Sequence, residues 1–255
     1  MKLAAALLPL LPGGKGVIAF VGAGGKTSAM FRLVTALEGQ GRRVLITTTT
    51  HLLDPRGESS RPAFDLVLRP DMEAPIAAAP LPEARGGLTV LLSREAEPPG
   101  KMKGIHPSWI PALRTNWNLI LVEADGSKRL PVKAPAPHEP VIPPGTDLVV
   151  GVVGMDCLGR PMDDRTVHRP ERFGAITGCA AGAPILWEHL VALAGHPEGL
   201  FKQASGARVL LFNKADRAQA IPSKAQLEDL PANLILVATL EPMDAVLDIQ
   251  PGRRP

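Results

Sequence analysis

The sequence predicts an α/β protein with a mainly parallel sheet covered on both faces. Three observations carry this expectation. Short apolar runs recur along the chain, with helix-compatible stretches between them. The runs are continuously apolar rather than alternating, as in strands buried on both faces. A glycine-rich turn joins the first strong run to an amphipathic segment, the connection that parallel sheets use. The 255 residues are ample for a core. Hydrophobic residues at 45% and charged residues at 21% are ordinary globular values. Gly and Pro, 25 and 27 residues, make about a fifth of the chain. That is below the roughly 25–30% of low-complexity chains, so disorder throughout, collagen and a coiled coil are excluded.

The elements follow in order. Residues 3–11 (LAAALLPLL) resemble a signal peptide, but Pro9 and Pro12 interrupt the run and no small-residue cleavage site follows. They predict a short helix packed on the sheet. Residues 16–21 (GVIAFV) read as a buried strand. Residues 26–37 read as a helix with Met30, Leu33, Val34 and Leu37 on one face and Gly39 as its stop. Strands are predicted at 43–47, 64–68, 88–92, 118–122, 148–153 and 208–212, with 234–238 as the last. Residues 129–145 (RLPVKAPAPHEPVIPPG) hold six prolines and predict an extended loop. Residues 155–206 predict a partly helical excursion, with Pro184 opening a helix over 185–193. One domain over 1–255, with this insertion at about 155–206, is the expected organisation.

The strongest local signal is the run Gly22, Ala23, Gly24, Gly25, Lys26, Thr27, Ser28, between a strand and a helix. Glycines let backbone N–H groups turn around phosphate oxygens, and a helix start adds a favourable dipole. Lys26 is placed to reach the β- and γ-phosphates and the Thr27 hydroxyl to ligate Mg²⁺. The usual spacing wants Gly at position 20, where this chain has Phe20, so the loop is shorter or differently bent. The expectation is a P-loop NTPase-like three-layer sandwich binding Mg²⁺ and GTP or ATP.

Residues 119–127 (LILVEADGS) deliver Glu123 and Asp125 to a strand's C-terminal end, where α/β sheets bind ligands. One carboxylate would serve the Mg²⁺ shell and the other the attacking water; spacing alone does not say which. With Lys26 they form the expected catalytic set. Asn213, Lys214, Ala215 and Asp216 follow a late strand in the N-K-x-D pattern. There a carboxylate accepting N1–H and N2–H would read guanine, a pair adenine lacks. Thr48 and Thr49, in TTTTH at 47–51, could act as a switch segment or simply reflect β-branched strand propensity.

Composition narrows the partners. Lys and Arg exceed Asp and Glu by only 28 to 25, and aromatics are 4%. No basic stripe with stacking rings indicates nucleic acid; the balance suits a small anionic ligand. Two cysteines, Cys157 and Cys179, fit a reducing compartment. No stretch reaches the roughly 18 apolar residues of a membrane span, so a cytoplasmic protein is expected. Cys157 reads as a small buried residue more readily than as a sulfur or selenium carrier. The histidines show no tight ligand spacing, so no zinc site is assigned.

The quoted residues resemble the YqeC family of selenium-dependent hydroxylase accessory proteins. The resemblance rests on GAGGKTS at 22–28, TTTTH at 47–51, KMKGI at 101–105 and VEADGSK at 122–128. It continues in KAPAPHEPVIP at 133–143, VHRPERF at 167–173 and NKAD at 213–216. It implies a role in maturing selenium-dependent molybdenum hydroxylases, with such an enzyme or its cofactor-assembly proteins as partner. The phosphate loop and NKAD also look like metal-insertion GTPases. The TTTT segment is similar to the Mur ligase core, which points instead to an ATP-dependent ligase or kinase acting on a cofactor precursor. A non-catalytic nucleotide or molybdopterin scaffold is the third reading. Within the two proline-rich and VHRPERF segments, Lys133, His138, Glu139, His168, Arg169 and Glu171 are candidates for a substrate or partner site. Arg169 suits a phosphate or carboxylate clamp, and the two histidines suit proton transfer. Loop-stapling ion pairs are the competing reading.

Overall fold

The computed structural model describes residues 1–57, 61–77, 79–84, 86–97, 99–218, 221–228, 230–241 and 244–253. Its strands are β1 (Gly16–Gly22), β2 (Arg43–Thr48), β3 (His51–Leu53), β4 (Asp65–Leu68), β5 (Gly87–Leu92), β6 (Arg94–Ala96) and β7 (Lys101–Lys103). There follow β8 (Leu119–Glu123), β9 (Val132–Lys133), β10 (Leu148–Gly154), β11 (Val167–His168), β12 (Ala207–Asn213), β13 (Leu234–Thr239) and β14 (Ala245–Gln250). The α-helices are α1 (Leu3–Leu7), α2 (Lys26–Thr35), α3 (Ile110–Leu113), α4 (Pro170–Thr177), α5 (Trp187–Gly195) and α6 (Lys224–Glu228).

Nine strands form one sheet in the order β14-β13-β12-β10-β1-β8-β2-β5-β4. All neighbours are parallel except the edge pair β13–β14. The central strands are buried along their whole length, which is why β1, β8 and β10 read as continuous apolar runs. Ile18, Phe20, Ile46, Leu121 and Val150 face one way, with Leu3 and Leu7 of α1 and Met30 and Leu33 of α2. Ala19, Val21, Val149 and Phe212 face the other way, packed with Leu190 and Leu193 of α5. Val17, Leu45, Ile120 and Val122 extend that second face under Trp109, Ile110 and Leu113. The sheet is thus covered on both faces, as expected.

Several expectations are corrected. β14 follows the strand expected to be last. Its alternating burial marks an edge strand, which carries no continuous apolar run. A second sheet, β3-β7-β6, is antiparallel and built from three-residue strands too short for a periodic signal. The proline-rich segment is extended, but contains β9, which pairs in parallel with β11. Pro184 does not open α5: it bridges Pro161, and the helix starts at Trp187. His189 Nδ1 accepts the Leu186 N–H at 2.9 Å there, a cap that sets the start three residues later. Among the described residues no helix is long and apolar enough to cross a membrane.

Candidate functional site

The site forms where β1 ends and α2 begins, at the C-terminal edge of the sheet. Phe20 is fully buried in β1, so the glycine loop begins only at Gly22. Gly22, Gly24 and Gly25 have φ of 89°, 86° and 128°, a region that excludes ordinary side chains. No side chain caps α2. Its first-turn amides have no side-chain acceptor, and Gly24, Gly25, Lys26, Thr27 and Ser28 line a cavity at this helix start. That cavity is about 770 Å³, within the range of small-molecule sites. Ala23 sits in the loop wall, with its N–H donated to the Val152 carbonyl at 2.9 Å.

β8 lies beside β1, and its end supplies the carboxylates. The Thr27 hydroxyl donates to Glu123 Oε2 at 2.7 Å. Lys26 Nζ donates to the Gly22 carbonyl at 2.6 Å and lies 3.1 Å from Asp125 Oδ1 and 3.8 Å from Glu123 Oε1. Asp125 Oδ2 also accepts the Gly22 N–H at 3.0 Å and stands 3.0 Å from Lys133 Nζ. Burial pulls the Lys26 ammonium down, but Asp125 and Glu123 outweigh it and hold it above the ordinary lysine value. Burial pushes Glu123 up, against the pull of Lys26 and the Thr27 hydroxyl.

The proline-rich loop adds a second tier. Lys133 Nζ donates to Glu139 Oε2 at 2.7 Å and to the Gly126 carbonyl at 2.7 Å. Arg169 forks onto both Glu139 oxygens at 2.8 and 3.1 Å. Glu139 resists ionisation through burial, yet Lys133 and Arg169 take it down to about 2. Charges therefore alternate from Lys26 through Asp125, Lys133 and Glu139 to Arg169. Lys133 and Glu139 serve as this buried brace, and Arg169 clamps a carboxylate of the chain itself. His168 lines the cavity; burial, then Arg169, Lys133 and Lys128, lower it to about 4. His138 and Glu171 are exposed and outside the cavity lining.

The remaining candidates divide. Asn213 Nδ2 donates to the Gly24 carbonyl at 2.9 Å, and Lys214 lines the cavity while pairing with Asp156 at 2.8 Å. Asp216 lies outside the lining, its side chain 38% exposed beside Arg217. Thr48 and Thr49 are tied to the backbone around them. Their hydroxyls donate to the Glu123 and Val141 carbonyls at 2.7 and 2.8 Å, because the strand end is itself braced by neighbours. Thr50 and His51 line the cavity in their place. Cys157 is fully buried and burial pushes its thiol to about 12. A thiol kept protonated is a poor carrier of sulfur or selenium.

A family model described as YqeC protein matches residues 18–171, more than half of the chain, including the glycine loop, α2, Glu123 and Asp125. The chain belongs to the YqeC family. A curated relative, "Uncharacterized protein YqeC" of Escherichia coli (strain K12), is 38% identical over 215 residues. That match spans 83% of this chain and 80% of the relative. No solved structure matches the chain. Sequence reasoning missed Lys128 and Arg129 on the YqeC cavity rim, although they directly follow the Asp125-Gly126-Ser127 turn. It also missed the Asp156–Lys214 pair, whose members lie far apart in sequence.

Proposed function

We propose that this YqeC-family protein binds a nucleoside triphosphate, GTP or ATP, with Mg²⁺ at the start of α2. It hydrolyses the nucleotide slowly, in the service of assembling a selenium-dependent molybdenum hydroxylase. One observation carries the nucleotide reading: the uncapped, glycine-entered α2 presents Lys26 and Thr27 within bonding reach of Glu123 and Asp125 at one end of a cavity. The hydroxylase client rests on the family resemblance.

The donor set fits magnesium. The Thr27 hydroxyl and Glu123 carboxylate are adjacent hard oxygens. Among the described residues no cluster of three or more His, Cys, Asp or Glu could hold a metal alone. A cation would therefore complete its shell from phosphate and water, as Mg²⁺ does. Bound there, it would neutralise charge on the phosphates. The α2 amides bind the β- and γ-phosphate oxygens, and Lys26 turns from the Gly22 carbonyl toward them. A water oxygen attacks the γ-phosphorus while the bond to the β-phosphate oxygen breaks, giving diphosphate nucleotide and inorganic phosphate, with one of the water's protons kept on the phosphate and the other released to solvent. Asp125 is already claimed by two ammonium groups and an amide, so its part is to hold Lys26 charged and the loop in place. Glu123 faces the cavity and would orient the water or the magnesium shell.

Lys26→Ala should abolish nucleotide binding, because it removes the cation that both phosphates need. Calorimetry with Mg·GTP and Mg·ATP reads this directly. Affinity unchanged from the parent protein would sink the site.

A further inference from the structure

The chain from Asp125 to Pro131 runs from the end of β8 onto the phosphate loop and is pinned to it at both ends. Asp125 Oδ2 accepts the Gly22 N–H at 3.0 Å, and the Leu130 carbonyl accepts the Gly24 N–H at 3.1 Å. The Pro131 carbonyl takes the Gly154 N–H at 2.9 Å, which fixes the same segment to the end of β10. Between the anchors, the Leu130 N–H donates to the Ser127 carbonyl at 3.0 Å, closing a tight turn on Lys128 and Arg129. Their φ values are 50° and 61°. Positive φ at both central positions is the type I′ pattern, which Gly, Asn and Asp fill at low cost and long side chains do not. The chain nonetheless places two cations there, and both are exposed on the cavity lining. Strained backbone of this kind clusters at ligand clamps and active sites.

The charge balance indicates an anionic ligand for this turn. In the buried network Lys26, Lys133 and Arg169 are matched by Glu123, Asp125 and Glu139, so that network is already neutral as a whole. Lys214, at the β12 end of the cavity, is paired with Asp156. Lys128 and Arg129 have no ion-pair partner among the described residues, so their charge is in surplus. Lys128 also helps to lower His168 on the cavity wall, after burial, Arg169 and Lys133. Through the bond between Leu130 and Gly24, the Arg129 Cα lies within about 10 Å of the Gly24 amide. A long cationic side chain and one phosphate fill a gap of that size. An anion seated at the start of α2 therefore lies within reach of this pair as well as of Lys26.

We propose that Lys128 and Arg129 form a second cationic clamp, beside Lys26, on the phosphate chain of the bound ligand. Naming that ligand a nucleotide rests on the reading above; the clamp itself requires only a polyphosphate. Lys128→Asn/Arg129→Gly removes both charges and supplies the Asn-Gly pair that such a turn favours, so fold and binding should move in opposite directions. Calorimetry on the full chain uses the Mg²⁺ complexes of the β,γ-imido analogues of GTP and ATP, and of inorganic tripolyphosphate. The double variant should bind whichever of these the parent binds about tenfold or more weakly. Its melting temperature, measured without ligand, should equal or exceed the parent's. Parent-like affinity would overturn the clamp and leave the nucleotide reading standing. A lower melting temperature would assign the pair to structure and overturn the clamp as well. If the parent binds tripolyphosphate but neither nucleotide, and the variant loses it, the nucleotide reading falls and the clamp stands. No binding of any of the three by the parent would overturn both.

Discussion

Asp125 concentrates the physical demands of the site in one side chain. It is 1% exposed and lies between Lys26 at 3% and Lys133 at 1%. Two buried ammonium groups depend on it, so its removal strands charge rather than merely deleting a contact. Asp125→Asn should therefore cost about 3–5 kcal/mol in urea denaturation. A loss below about 1 kcal/mol would mean that Lys26 and Lys133 find other partners. Titration gives an independent reading of the same neighbourhood. His168 falls from 6.5 to about 4 on folding, so the unfolded chain takes up the proton first. Its stabilisation is complete above pH 6.5 and declines as the pH falls toward 4. Glu139 falls from 4.5 to about 2, so its stabilisation holds above pH 4.5 and is lost toward pH 2. The two act in the same direction in successive windows. In denaturation midpoints measured across pH, His168→Asn should flatten the slope between 6.5 and 4 and leave the lower one. Identical slopes for variant and parent would remove His168 from this role.

At the scale of elements, the unit β1–loop–α2 was the most legible part of the sequence. Its two neighbours impose a continuous apolar strand and a 3.6-residue face, and its glycines have positions no other residue fills. Gly24 shows how tightly. A Cβ there would lie 2.2 Å from the Gly154 amide nitrogen and 2.7 Å from the Pro131 carbonyl, both backbone atoms, at φ 86°. Gly24→Ala should cost about 2–4 kcal/mol and displace the loop. Thermal denaturation checks the first part, and a variant as stable as the parent would mean the loop rearranges freely. Other features were illegible for stated reasons. The β3-β7-β6 sheet has strands of three residues, below any periodic signal. β14 is an exposed edge with a weak alternation. Lys133, Glu139 and Arg169 were identified as polar groups needing an explanation. That they neutralise one another depends on β9 meeting β11, a pairing of two residues per strand that no local pattern encodes. For Thr48 and Thr49, strand propensity and a functional hydroxyl look alike in sequence, so the pattern leaves both readings open.

Over the whole molecule, the sheet order decides where a base would lie, and Asn213 is the residue that transmits it. At the end of β12, its amide donates to the Gly24 carbonyl at 2.9 Å, while its oxygen accepts the Leu240 N–H, beyond β13, at 3.2 Å. One buried side chain thus ties the loops after β1 and β13 to the end of β12. Asp216 contributes nothing comparable: its backbone N–H donates to Thr239 Oγ1 at 3.2 Å, and its carboxylate is left to solvent and Arg217. Bracing and base reading should therefore separate by mutation. Asn213→Ala leaves buried backbone groups unsatisfied, so it should lower stability by about 1–3 kcal/mol. It should weaken GTP and ATP alike, because both share the phosphate loop. Asp216→Asn should leave stability nearly unchanged and weaken GTP selectively, by about tenfold or more, because only guanine offers the paired N1–H and N2–H donors. Parallel calorimetric titrations of both variants with Mg·GTP and Mg·ATP make the comparison. Equal losses for the two nucleotides in Asp216→Asn would end the guanine reading. Asn213 would then remain a structural brace, and base preference would pass to Lys214 and Glu241 on the cavity wall.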